Sequence, residues 1–283
     1  MSKLKKALEK AKEDRTINQC TQDQLRKYSD YTLKLNRINC ESLRQEVQVT
    51  YSQTKVQQID PKILKKNRVI SYFQDNPMTQ QINMLRTQVL TRLQESGGNT
   101  LLITSANPGE GKTFTTINLG ISIAYEMDRT VLIVDADLKT PSVHHYDFSS
   151  DFFGIDVDQG ISDYLMGRLE ISEILLNPGI QKLTILPAGQ PLTNSAELLG
   201  SPRMESLMNE MKGRYPGDRV IIIDGPALLK YADPVVLSRF ADGILFVSEE
   251  EKTSRDDIKR ALELLNGRPV FGTVLNKSKS SRG

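Results

Sequence analysis

Residues 101–124 read LLITSANPGEGKTFTTINLGISIA. A branched apolar run closes at Ser105, a turn containing Pro108, Gly109 and Gly111 follows, and GKT opens a helical pattern. Strand, turn and helix in this order, with Gly-x-Gly-Lys-Thr at the junction, wrap backbone N–H groups around the phosphates of a nucleotide. The helix N-terminus adds its partial positive charge there. Gly109 and Gly111 permit backbone angles and a close approach that a side chain would obstruct. Lys112 would reach the β- and γ-phosphates, and the Thr113 hydroxyl would ligate Mg²⁺. One position departs from the G-x-x-x-x-G-K-[ST] pattern. Ala106 stands where glycine is expected, which the loop tolerates if the backbone angles there are ordinary.

Outward from this loop, short runs rich in branched residues recur: TLLITS at 100–105, TVLIVD at 130–135, LTILPA at 183–188, VIIID at 220–224, GILFVS at 243–248 and VFGTVLN at 270–276. Their length and composition suit strands buried on both faces, as in a parallel sheet. Helix-length segments separate them at 112–128, 159–176, 195–214, 233–240 and 254–267. An amphipathic helix is expected before them over 78–95, with Ile82, Leu85, Val89 and Leu93 on one face. The alternation predicts an α/β fold, doubly wound around a mostly parallel sheet; a barrel would need eight repeats. Asp135 and Asp137 end one strand and Asp224 another, at the carboxyl edge where open α/β sheets bind ligands. An aspartate there is equally suited to capping a helix. Two such sites together with the phosphate loop favour a role in holding Mg²⁺.

The chain has 283 residues, with 37 Lys+Arg against 35 Asp+Glu and a formal net charge of +2. That balance argues against a dedicated nucleic-acid binder. No run reaches the ~18 apolar residues of a membrane span, and MSKLKKALEK lacks the apolar stretch of a secretory signal. Cys20 and Cys40 have no zinc or CxxC spacing and read as reduced cytosolic thiols. The near-neutral average conceals an asymmetry: residues 1–70 carry 16 Lys+Arg and 8 Asp+Glu, and the first glycine is Gly97. Two segments are therefore expected, a basic helical or partly disordered extension over 1–70 and a nucleotide-binding domain over 71–283. Leu4, Leu8 and Ala11 form a narrow stripe on a basic helix at the start of the extension. His144 and His145 are adjacent, a spacing that suits ordinary loop residues better than a shared metal.

GEGKT, VLIVDADLKTP and VIIIDGP together resemble the Walker A, A′ and B motifs of bacterial tyrosine kinases, P-loop proteins of the MinD/ParA-like superfamily encoded with capsule and exopolysaccharide genes. The resemblance runs over residues 78–276 and includes GISDYLMGRLEISEIL (160–175), LTILPAGQPLTNSAELLGSPRM (183–204) and ADGILFVSEEEKTSRDDIKRALELL (241–265). MSKLKKALEKA is similar to the opening helix of members from exosortase-linked clusters. The resemblance implies ATP and Mg²⁺ held by Pro108, Gly109, Glu110, Gly111, Lys112, Thr113 and Phe114. It implies Thr113, Asp135 and Asp224 around the metal, and Lys112, Asp135 and Asp137 as catalytic groups, one carboxylate orienting or deprotonating a tyrosine hydroxyl. Asn276 would contact adenine or serve as a turn residue. The implied setting is cytoplasmic, at the inner membrane through a membrane-embedded polysaccharide co-polymerase, with self-association as a further expectation and no nucleic acid.

Several positions depart from that family. No tyrosine follows Tyr231, whereas the family carries a C-terminal tyrosine cluster; acceptors would then be sought at Tyr28, Tyr31, Tyr51 or Tyr72. The ring-forming Glu and two Arg positions read Gln80, Asn83 and Arg86, which weakens the expectation of a ring. Lys139 stands where the family often has arginine, and DGPA replaces Asp-x-Pro-Pro. These departures keep a second reading open, an ATP-binding regulatory subunit without kinase activity. A third, a positioning or partition ATPase, is disfavoured because Asn107 occupies its signature lysine position.

Overall fold

The branched runs become the centre of one eight-stranded sheet. A computed structural model describes residues 54–139, 152–213 and 218–279. Its elements in chain order are β1 (Lys55–Val56), α1 (Pro61–Lys66), a 3₁₀ turn (Ile70–Tyr72), α2 (Pro77–Ser96), β2 (Thr100–Ser105), α3 (Lys112–Ala124), β3 (Thr130–Asp135), α4 (Ile161–Leu165) and α5 (Ile171–Ile174). There follow β4 (Leu176–Asn177), β5 (Leu183–Leu186), α6 (Ser195–Leu199), α7 (Pro202–Gly213), β6 (Arg219–Ala227), α8 (Asp233–Leu237), β7 (Gly243–Glu249), α9 (Arg255–Leu264) and β8 (Val270–Asn276). The strand order is β1-β4-β5-β3-β6-β2-β7-β8. The pairs from β5 through β8 are parallel, and β4 meets β5 antiparallel. The doubly wound expectation holds.

Alternation along the strands divides the core between two faces. Leu102, Leu132, Val134, Ile221, Ile223, Ile244 and Phe246 pack on one side with α4 to α8. Leu101, Ile103, Val131, Ile133, Val220, Ile222, Leu245 and Val247 pack on the other with α2 and α3. Covering both faces is why the sequence shows continuous apolar runs instead of alternation. β8 departs from this: as an edge strand it is only partly covered, and Leu275 is 58% exposed.

α2 starts where Asn76 accepts a 2.9 Å bond from the Met78 N–H, has Pro77 in its first turn, and stops at Gly97 with φ 67°. These are ordinary start and stop signals. Arg86 does not face solvent as a ring-forming charge would. It pairs with Glu126 at 2.8 Å and donates to the Ser122 carbonyl at 3.0 Å, while Ser122 donates to Asn83 at 2.7 Å. Two of the three ring positions are thus spent joining α2 to α3.

The single helix expected over 159–176 is two short helices and the start of a two-residue strand. Gly167 with φ 77° breaks it, and Leu176–Asn177 pair instead with β1 and β5. The composition shift near residue 70 does not coincide with a packing boundary. Leu64 and Val69 are buried in the core, and buried Asn118 on α3 accepts the Ser71 N–H at 2.9 Å. Chain contacts divide at Glu46/Val47. The N-terminal stripe, Cys20, Tyr28, Tyr31, Cys40, Tyr51, His144 and His145 lie outside the described residues.

Candidate active site

Parallel registry places the acidic strand ends side by side. Asp224 on β6 is paired with Ile103 on β2 and with Asp135 on β3. β2 and β3 flank β6, so the loop leaving β2 and the turn leaving β3 open onto the same edge. This is the switch-point crevice in which α/β sheets bind ligands.

The loop itself is built by Gly109 (φ 80°) and Gly111 (φ 98°). Ala106 keeps a negative φ, so the missing glycine costs nothing; Ala106 is buried and its carbonyl accepts the Leu229 N–H at 3.1 Å. Lys112 is the first residue of α3 and is buried, as is Glu110. Pro108 and Gly109 form the exposed tip, and Phe114 lies half-buried in the first turn of the helix.

Thr113 and Thr116, one turn apart on α3, clasp the Asp224 carboxylate. Thr113 donates to Oδ2 at 2.7 Å and Thr116 to Oδ1 at 3.0 Å. Burial pushes the Asp224 pKa up to about 6; Lys112 and the two hydroxyls oppose the shift, and nearby Asp137 adds to it. Asp137 donates its N–H to Asp135 Oδ1 at 3.2 Å, folding the turn after β3 over the site. Lys112, Thr113, Asp135, Asp137 and Asp224 are therefore gathered at one edge. No set of three His, Cys, Asp or Glu side chains forms a metal cage among the described residues. Mg²⁺ requires none, since it retains waters and takes one or two carboxylates plus substrate phosphates.

Asn276 lies against the loop. Its amide donates to the Glu110 carbonyl at 2.9 Å, and a Cβ on Gly111 would collide with it. Other contacts carry no advance signal in the sequence. Glu110 accepts from the Asn107 N–H at 3.0 Å and from the Thr253 hydroxyl. Lys277 donates to the Gly109 carbonyl at 2.8 Å and to Glu249 at 3.0 Å. Slight burial of Glu249 is outweighed by Lys277 and Lys252, which hold its carboxyl below the ordinary range. Lys139 pairs with buried Asp233 at 3.3 Å, and Asp233 also accepts from Ser195. Asn107 turns inward towards Glu110 and Asp257.

An AAA-domain family model matches residues 98–267. The tyrosine-protein kinase YwqD of Bacillus subtilis is 30% identical over 206 residues, covering 72% of this chain and 83% of that protein. EpsB of Ralstonia nicotianae is 31% identical over 204 residues, 71% of this chain but 26% of its own length. The chain thus spans about a quarter of EpsB. Among solved structures, the kinase domain of the Escherichia coli tyrosine kinase ETK superposes with a TM-score of 0.61 at 27% identity, covering 71% of this chain and 78% of that one. With the AAA-domain match across more than half of its residues and YwqD matched over most of its length, the chain belongs to the bacterial tyrosine-kinase family of P-loop proteins.

Proposed function

We propose that this chain binds ATP with Mg²⁺ and transfers a phosphoryl group to tyrosine hydroxyls. The observation that carries the reading is the buried Asp224 carboxylate, held by the Thr113 and Thr116 hydroxyls beside Lys112 at the mouth of the phosphate loop. A carboxylate fully removed from water is costly to ionise without a cation. Thr113 and Asp224 supply the hard oxygen ligands that Mg²⁺ prefers, and Asp135 stands on the neighbouring strand as the third expected ligand. Bound Mg²⁺ would neutralise charge on the transferring phosphoryl group.

The remaining work falls to the chain's own groups. Loop amides and Lys112 hold the phosphates in place. Of Asp135 and Asp137, the carboxylate not engaged with the metal orients the phenol and accepts its proton as the oxygen attacks the γ-phosphorus, whose bond to the bridging oxygen breaks to release ADP. Positioning and charge neutralisation account for most catalysis in this chemistry. Pro108 to Phe114 form the wall of the nucleotide site, and Asn276 borders it. The exopolysaccharide role, a membrane co-polymerase partner and a cytoplasmic, membrane-peripheral location belong to the same proposal. No described helix is long and apolar enough to cross a membrane. The surplus of basic residues over 1–70 suits docking on an acidic segment or an anionic membrane face.

The engagement of Asn83 and Arg86 within the domain favours a second reading, a nucleotide-dependent regulatory subunit. Incubating the protein with MgATP and measuring phosphotyrosine alongside ADP separates the two. Phosphotyrosine that vanishes in Lys112→Met supports the kinase; ADP release without phosphotyrosine supports the regulator.

A further inference from the structure

We propose that Asn276 and Lys277 are positioning residues that aim the amides of the phosphate loop at its ligand. The proposal rests on the reading of residues 106–113 as a phosphate loop. Two consecutive side chains at the end of β8 grip two consecutive loop carbonyls: Lys277 holds Gly109 O at 2.8 Å, and Asn276 holds Glu110 O at 2.9 Å. In a trans peptide the carbonyl and the following N–H point in opposite directions, and no described peptide is cis. Holding the Gly109 carbonyl outward turns the Glu110 N–H the other way. Holding the Glu110 carbonyl does the same for the Gly111 N–H. Successive N–H groups pointing to one side are what makes an anion-binding concavity.

Two further observations agree. Gly111 has no room for a side chain because the Asn276 amide occupies that space, so its glycine serves the anchor as well as the left-handed φ. Lys277 itself takes φ 57°, a left-handed conformation unfavourable for a residue with a Cβ. That conformation coincides with its bonds to the loop carbonyl and to Glu249, both on neighbouring segments. Strain of this kind persists where the surroundings over-determine it.

Calorimetric titration of the full chain with MgATP and, separately, with inorganic tripolyphosphate tests the assignment. Loss of one anchor removes roughly one hydrogen bond's worth of preorganisation, so Asn276→Ala and Lys277→Gly should each weaken both ligands about fivefold, by the same factor. Lys277→Gly should keep or raise Tm, because glycine accepts the left-handed angle, and Lys277→Arg should restore affinity. If Asn276→Ala weakens ATP but leaves tripolyphosphate untouched, Asn276 contacts the base and its positioning role is overturned. If Lys277→Gly lowers Tm with both affinities unchanged, the Lys277 anchor is merely structural. Wild-type protein that binds neither ligand, and matches Lys112→Met in this, would overturn the phosphate-loop reading along with the anchors.

Discussion

At Asp224 the fold sets burial against charge. Its pKa of about 6 lies above the ordinary 3.8, so the folded state holds this proton more tightly than the unfolded chain. Stability without ligand should therefore fall as pH rises from about 4 to about 6, and the full penalty should persist at neutral pH. Asp224→Asn should remove that slope and raise the stability of the unliganded protein at pH 7 by roughly 1–3 kcal/mol, as read by urea denaturation. The same variant should lose Mg²⁺-dependent ATP binding. Lys112→Met removes about 1.5–3 kcal/mol of charge-assisted bonding, so ATP affinity should drop roughly ten- to a hundredfold by equilibrium binding. Lys112, Thr113 and Asp224 were legible because each follows an apolar run in a local pattern. Lys277 and Thr253 were not, since their partners lie 168 and 143 residues away.

Helices α2 and α3 meet through a polar clasp as well as apolar packing. Arg86 bonds to Glu126 and to the Ser122 carbonyl, with Asn83 completing the set. Arg86→Ala should destabilise the protein by about 1–2 kcal/mol in chemical denaturation, chiefly by leaving the carbonyl and carboxylate without their charged donor. A role confined to self-association would instead change the oligomeric state in light scattering and leave stability alone. The apolar face of Ile82, Leu85, Val89 and Leu93 located α2 within a residue at each end, and in the structure Asn76, Pro77 and Gly97 punctuate it there. Residues 159–176 misled because their apolar spacing suits a helix. Gly167 can break such a pattern, but only pairing with β1 and β5 commits Leu176–Asn177 to a strand. β8 shows the converse: a run fit for burial lies at the sheet edge, a place that composition does not encode.

For the molecule as a whole, the boundary of the folding unit differs from the boundary of charge. A chain beginning at Val47 keeps the whole of the second compact unit and should unfold in one cooperative transition in calorimetry. One beginning at residue 71 would lose β1, α1 and the buried Leu64, Val69 and Ile70, and should be less stable by roughly 4 kcal/mol or more in calorimetry. Adding MgATP at a hundred times its Kd should stabilise the longer chain by about 2.7 kcal/mol. The sequence alone determined the α/β class, the phosphate loop and the identity of the acidic strand ends, because these depend on local composition and on spacings of a few residues. Tertiary structure decided the rest: the registry that sets Asp135 beside Asp224, the burial that raises Asp224, and the docking of β8's end on the loop. Each depends on strand order and on contacts between residues far apart in the chain, which no local pattern records.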